Sequence, residues 1–152
     1  MSDQDIAEIC QLKYRYFRHL DLKEMDQLGE QLTDDCEARY DGGKLSFSGK
    51  DAIIEFLTAS LGGPSIISEH NGHHPEIVVE DSENATGLWY LEDRVLIAEA
   101  DLEIGGTAIY EDRYRKVRGE WKIAETGYQR IFEEQRTYST QLLISMTNRF
   151  NP

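Results

Sequence analysis

"ATGLWYLEDRVLIA", residues 85–98, reads as one long β-strand, rich in aromatic and β-branched residues and free of proline. Alternate side chains of a strand share a face. Ala85, Gly87, Trp89 and Leu91 therefore lie on one side together with Asp93, Val95 and Ile97. That row is apolar apart from Asp93. A carboxylate in such a row costs free energy unless it is paired, so Asp93 is either the structural partner of an arginine or backbone amide, or a functional group.

Outward from this strand the pattern divides the chain. Downstream, Thr107–Val117 and Glu120–Glu134 read as further long strands; upstream, Ser65–Asn71 and Glu76–Glu80 read as short ones, with "DSEN" and "VRGE" as turns. Before them the apolar period is helical. A first helix is predicted over Asp5–Asp21 (Ile6, Ile9, Cys10, Phe17 and Leu20 on one side), a second near Lys23–Leu32, and a third over Asp51–Leu61, stopped by Gly62-Gly63-Pro64. "ARYDGGKLSF" reads as a hairpin between the last two. Helices followed by a run of strands give an α+β fold: a mostly antiparallel sheet with helices on one face. Strands this long must twist and curve, and a sheet curved over helices would enclose a cavity. The tail from Tyr138 to Pro152, with Leu142, Leu143, Ile144 and Met146, would add a strand or helix covering that cavity or a neighbouring subunit.

The 152 residues suit one domain, residues 1–152. With 29 acidic and 16 basic residues the net charge is −13, which disfavours nucleic acid and anionic membrane surfaces as partners. There is no apolar run long enough to span a bilayer, and "MSDQDIAEIC" lacks the pattern of a secretory signal, so the expected location is cytoplasmic. Cys10 and Cys36 have no metal-binding spacing and read as reduced thiols.

Three of the four histidines fall within "ISEHNGHHPE", residues 67–76. "HNGHH" does not match a helical metal motif, and Gly72 and Pro75 break any regular ladder, so no metal is expected. No nucleophile elbow, dinucleotide fingerprint or phosphate loop appears, so no cofactor is expected and acid–base chemistry in a pocket remains. His70 shares its strand face with Ile66 and Ser68. Asp21 ends the first helix, where the dipole disfavours a carboxylate, so another group should hold it. An imidazole, that of His70, is the natural candidate. Arg130 shares its parity with Ala124, Tyr128 and Phe132, as a stacked surface arginine or one pointing into a cavity toward an anion. His73 and His74 read as rim residues of a turn, with His73 the nearer to a ligand. His19 faces away from Asp21 and reads as exposed. Phe17, Trp89, Leu91 and Tyr128 would line a pocket for a small hydrophobic substrate, and would equally make a core.

"KYRYFRHLD" (13–21), "ISEHNGHHPEI" (67–77), "ATGLWYLEDR" (85–94), "YEDRYRKVRGEW" (110–121) and "ETGYQRIFEE" (125–134) resemble, in order and spacing, the SnoaL-like group of the nuclear-transport-factor-2-like superfamily, and within it the bile-acid 7α-dehydratases. The resemblance runs from about residue 6 to 148. It implies a cone-shaped curved sheet over three N-terminal helices, packed as a trimer or dimer. It implies a cofactor-independent lyase that eliminates water beside a carbonyl, with catalytic residues at Tyr16, Asp21, His70, Asp93 and Arg130. Polyketide-type cyclisation or isomerisation, dehydrohalogenation, and non-catalytic binding or assembly are alternatives on the same fold. "IAEADLEIGGTAIYEDRY" and the tail depart from the dehydratase, so steroid specificity does not carry over.

Overall fold

A computed structural model describes residues 3–137 and residue 150. Helix α1 (Asp3–Asp21) has Asp3 and Asp5 in its first turn and Arg18 and His19 in its last, charges that suit its dipole. Its buried row is Ile9, Leu12, Lys13, Tyr16, Phe17 and Leu20, at three- and four-residue steps. Ile6, expected on that row, is 39% exposed. The buried stripe instead centres on Lys13 and Tyr16, a position that hydropathy alone assigns to water. Helix α2 (Met25–Glu30) is shorter than the sequence suggested. Lys23 takes a positive φ of 61° before it, and Leu32 belongs to the following strand. Helix α3 (Lys50–Leu61) ends at Gly62, close to the predicted stop.

The described residues hold six strands, the first two between α2 and α3 and the rest after α3: β1 (Leu32–Tyr40), β2 (Leu45–Ser48), β3 (Ile66–Val79), β4 (Asn84–Ile97), β5 (Leu102–Val117) and β6 (Glu120–Thr137). Their order in the sheet is β2-β1-β6-β5-β4-β3. Only β1 and β6 run parallel; every other pair is antiparallel. The three helices and this curled, open sheet make the α+β cone that the sequence implied. Helix α1 packs on β3 and β6, and α3 on β1. The core is shared by the helices' Ile9, Leu20, Leu28 and Ile53 and the sheet's Ala38, Trp89, Leu91, Tyr110 and Ile123. No helix among the described residues is long and apolar enough to cross a membrane.

The β4 parity holds: Ala85, Gly87, Trp89, Leu91 and Asp93 are buried, whereas Leu88 and Tyr90 face out. The segment read as strand, turn and strand is one continuous strand, β3. Between His73 and Glu76 it carries one residue more than the facing Tyr90–Leu88 stretch of β4, a bulge at which His74 has φ of 49°. Pro75 cannot donate to a ladder, and β3 is an edge strand, where such a break is tolerated. Strand β6 also differs from its expected parity. The register break opposite Arg113/Tyr114 shifts the inward row from Trp121 and Ile123 to Thr126, Tyr128 and Arg130, and the break opposite Thr107/Ala108 turns Phe132 outward. Ala124 and Phe132 therefore do not share the face of Arg130. Phe132 pairs with Thr107 and is exposed. The apolar part of the tail, Leu142 to Met146, lies outside the described residues.

Candidate active site

The end of α1 meets the middle of β3. Asp21 Oδ1 accepts hydrogen bonds from Ser68 Oγ at 2.8 Å and from His70 Nδ1 at 2.6 Å. Its Oδ2 accepts from the backbone N–H of His70 at 2.9 Å. Three donors thus converge on one carboxylate, two of them from the same residue, so backbone and side chain are fixed together. The side chains are well covered, His70 at 8% exposure and Asp21 at 22%. With Nδ1–H given to the carboxylate, the lone pair of His70 lies on Nε2, the nitrogen that can accept a proton. The expectation that an imidazole holds the helix-ending carboxylate is met.

Phe17, one helical turn before Asp21, lies parallel to the His70 ring at a centroid distance of 6.1 Å. Its other edge lies against Gly72. A Cβ at position 72 would come within 2.5 Å of the Phe17 ring, so only glycine admits the ring there. Gly72→Ala is expected to push Phe17 off His70 and to cost roughly 1–3 kcal/mol, the usual penalty for overpacking. Urea denaturation would measure it, and an unchanged midpoint would show that the ring has room to move.

Across the sheet His70 pairs with Asp93 of β4, directly opposite on the inner face, where facing Cβ atoms lie roughly 5 Å apart. Asp93 binds both terminal nitrogens of Arg130, with Nη2 to Oδ2 at 2.8 Å. This fork-to-fork pairing is the strong, oriented kind. Asp93 is thus the partner of an arginine. Arg130 Nε lies 3.4 Å from Glu133, and the guanidinium sits 5.2 Å from the Tyr128 ring centre. The Asp21–His70 and Asp93–Arg130 pairs are therefore neighbours on one face.

Tyr16 stands deeper. Its hydroxyl lies 3.3 Å from that of Tyr40, and its ring is fully buried. Phe17 packs edge-on to Tyr16 and stacks on His70, so it stands between them. Burial, with Tyr110 close by, pushes the Tyr16 hydroxyl well above 10, and it stays a neutral donor at ordinary pH. Tyr128 joins Tyr40 and Tyr110 in the same aromatic cluster.

Other residues singled out from the sequence lie elsewhere. Trp89 is core, donating its indole N–H to Tyr114 at 2.9 Å, with Leu91 between it and Asp93 on the row. His73 pairs with outward-facing Tyr90, is largely exposed, and lies 3.6 Å from Glu92. His74 packs edge-on to Tyr90. His19, expected to be exposed, is only 14% so, because its Nδ1 bonds Glu24 at 2.7 Å. Among the described residues no group of three His, Cys, Asp or Glu side chains is arranged to hold a metal ion. Burial and the nearby Asp112 raise the Cys36 thiol to about 12, so it is a poor nucleophile.

One pair escaped the reading of the sequence. Lys13 Nζ lies 2.7 Å from Asp112 Oδ2 with both side chains fully buried. The ammonium faces the rings of Tyr110, Tyr16 and Phe17 at 3.8, 4.7 and 4.9 Å. Asp112 also accepts from Tyr114 at 2.8 Å and Thr126 at 2.7 Å. Burial lowers the pKa of Lys13, and the Asp112 charge works against that shift. The rings of Tyr16 and Phe17, packed behind His70, thus rest on a buried ion pair.

The Asp21–His70 pair opens on a groove of about 370 Å³ between α1 and β3, lined by Tyr14, Phe17, Arg18, Leu22, Asn71 and Gly72 besides the pair itself. Residues 2–127 match the family model of the SnoaL-like domain. The chain belongs to the SnoaL-like family. Solved structures similar to this SnoaL-like chain include a hexachlorocyclohexane dehydrochlorinase of Novosphingobium barchaimii, at 15% identity and a TM-score of 0.80 over 95% of this chain and 96% of that one. A protein of Novosphingobium aromaticivorans, provisionally assigned as a scytalone dehydratase, is 18% identical with a TM-score of 0.77, over 86% of each chain. A protein of Kribbella flavida is 21% identical with a TM-score of 0.78, over 87% of this chain and 94% of that one. At these identities the likeness is one of fold.

Proposed function

We propose that this SnoaL-like protein is a cofactor-independent lyase that eliminates water beside a carbonyl in a small hydrophobic substrate. The observation that carries the reading is the 2.6 Å contact between Asp21 and His70, which leaves Nε2 as the base. A lyase role is in keeping with a fold found also in a dehydrochlorinase.

His70 Nε2 takes the proton from the carbon next to the carbonyl, and the C–H electron pair passes into an enolate. Asp21 stabilises the imidazolium so formed. Tyr16, fully buried behind Phe17 and absent from the lining of the groove, supports the site from below rather than touching the enolate oxygen. The enolate then reforms the carbonyl, its electrons make the new C=C bond, and the C–O bond to the β-hydroxyl breaks. The leaving oxygen takes the proton back from His70 and departs as water, which returns the imidazole to its starting state. Each terminal nitrogen of Arg130 keeps a second N–H beyond its bond to Asp93. Those hydrogens can bond the departing oxygen, while Asp93 keeps the arginine in place.

Incubation with a panel of aryl and alicyclic β-hydroxy ketones in deuterium oxide tests the reading. Wild-type protein is expected to place deuterium on the carbon next to the carbonyl and to release the unsaturated ketone, and His70→Ala is expected to do neither. Equal exchange by both proteins would refute it.

A further inference from the structure

We propose that the groove between α1 and β3 takes a ring-bearing carboxylic acid, with Arg18 as the residue that recognises the carboxylate. The inference rests on the groove being the approach to the proposed base, and it names the class of substrate that approach selects.

Tyr14 and Arg18, four residues apart on α1, form one row that Leu22 continues just past the helix end, facing Asn71 and Gly72 of β3. Phe17 and the Asp21–His70 pair form the floor. At about 370 Å³ the groove falls near the lower end of small-molecule sites, with room for one or two rings. Tyr14, which is 43% exposed, supplies aromatic surface for such a ring, with only the edge of the nearly buried Phe17 beneath it. Arg18 is the single cation in this lining. Its neighbour on the helix, Asp21, has both oxygens engaged by Ser68 and His70. Arg39, Arg94, Arg113, Arg115, Arg130 and Arg136 each pair with a carboxylate. The Arg18 guanidinium has no such partner among the described residues, although the chain holds 29 acidic residues.

A guanidinium presents a planar fork that matches a carboxylate better than any other side chain does. The net charge of −13 repels anions at a distance, so the overall field does not draw an acid to this groove. A local cation must supply the attraction, and Arg18 is placed to do so. An acid held there would set its carboxylate at the groove mouth and its ring against Tyr14, with the atoms beyond the ring directed at His70.

The test uses 2-naphthoate and its neutral isostere 2-naphthamide, titrated into the folded protein while the His70 and Gly72 resonances are followed by NMR. The acid is expected to bind at least about tenfold more tightly than the amide. Arg18→Gln should remove that preference, Arg18→Glu should abolish acid binding, and Arg18→Lys should keep part of it. Equal affinity for acid and amide, a preference that survives Arg18→Gln, shifts confined to residues outside the groove, or no binding of either probe would each overturn the proposal. Neither probe has a leaving group, so the result is independent of turnover. A protein that prefers the acid through Arg18 yet never exchanges a ketone α-proton would sink the lyase reading and leave this one standing.

Discussion

Replacement of His70 by alanine is expected to lower kcat/KM by about 10²–10⁴, the range that a positioned general base contributes. The loss should fall mainly on kcat, because the imidazole acts on the reacting proton and the groove walls that bind the substrate stay in place. Asp21→Asn should approach the same loss without removing the base. Asparagine has one acceptor oxygen where Asp21 uses two, against the Ser68 hydroxyl and both the ring and backbone N–H of His70. The imidazole is then free to adopt the tautomer with Nε2 protonated, and exchanging an orienting carboxylate for its amide can cost as much as about 10⁴ in such pairs. Steady-state kinetics on the ketone that the exchange panel identifies would measure both variants. Full activity in either would remove the pair from the mechanism.

The second large effect is on stability. Lys13→Met is expected to destabilise the fold by about 3–5 kcal/mol, the usual cost of removing one partner of a buried ion pair. The reason lies in what stays behind. Asp112 would keep its hydrogen bonds from Tyr114 and Thr126 but lose its counter-charge in a fully buried position. Against a total stability of roughly 5–15 kcal/mol this is a large fraction. Denaturant unfolding monitored by the Trp89 and Trp121 fluorescence would report it, and a change below about 1 kcal/mol would show that the pair is not desolvated. Because Lys13 lies against Tyr16 and Phe17, a folded remnant of the variant should also lose the stacking of Phe17 on His70.

Much of this was legible in the sequence, for identifiable reasons. Strand parity placed Asp93 on the buried face of β4, and the rule against a carboxylate at a helix C-terminus called for a partner to Asp21. Both are local geometric arguments, and both survive the folding of the sheet. Parity failed where bulges intervene. Ala124, Arg130 and Phe132 share even numbers, but two register breaks in β6 put Arg130 inside and Phe132 outside. The sequence between His70 and Pro75 looked like a turn because glycine and proline mark both turns and bulges. On an edge strand the bulge was chosen. Lys13 and Asp112 were missed for a different reason. Asp112 shares its parity with Ala108, Tyr110 and Tyr114 and so meets the same test that marked Asp93. Lys13 sits on the row of Ile9, Tyr16 and Leu20, but a lysine there reads as the polar edge of an amphipathic helix until a carboxylate from another element is known to meet it. The long-range pairing of α1 with β5 is a tertiary fact that no local period carries.

The claim beneath the proposed chemistry is that Asp21 fixes the tautomer of His70. A long-range ¹⁵N–¹H correlation spectrum of the imidazoles, recorded above pH 8 where ordinary histidine is neutral, measures this directly. The expected spectrum shows His70 Nδ1 protonated and Nε2 carrying the lone pair, with that order lost in Asp21→Asn. A wild-type spectrum with the proton on Nε2 would contradict the account, since the nitrogen assigned to receive the substrate proton would already hold one.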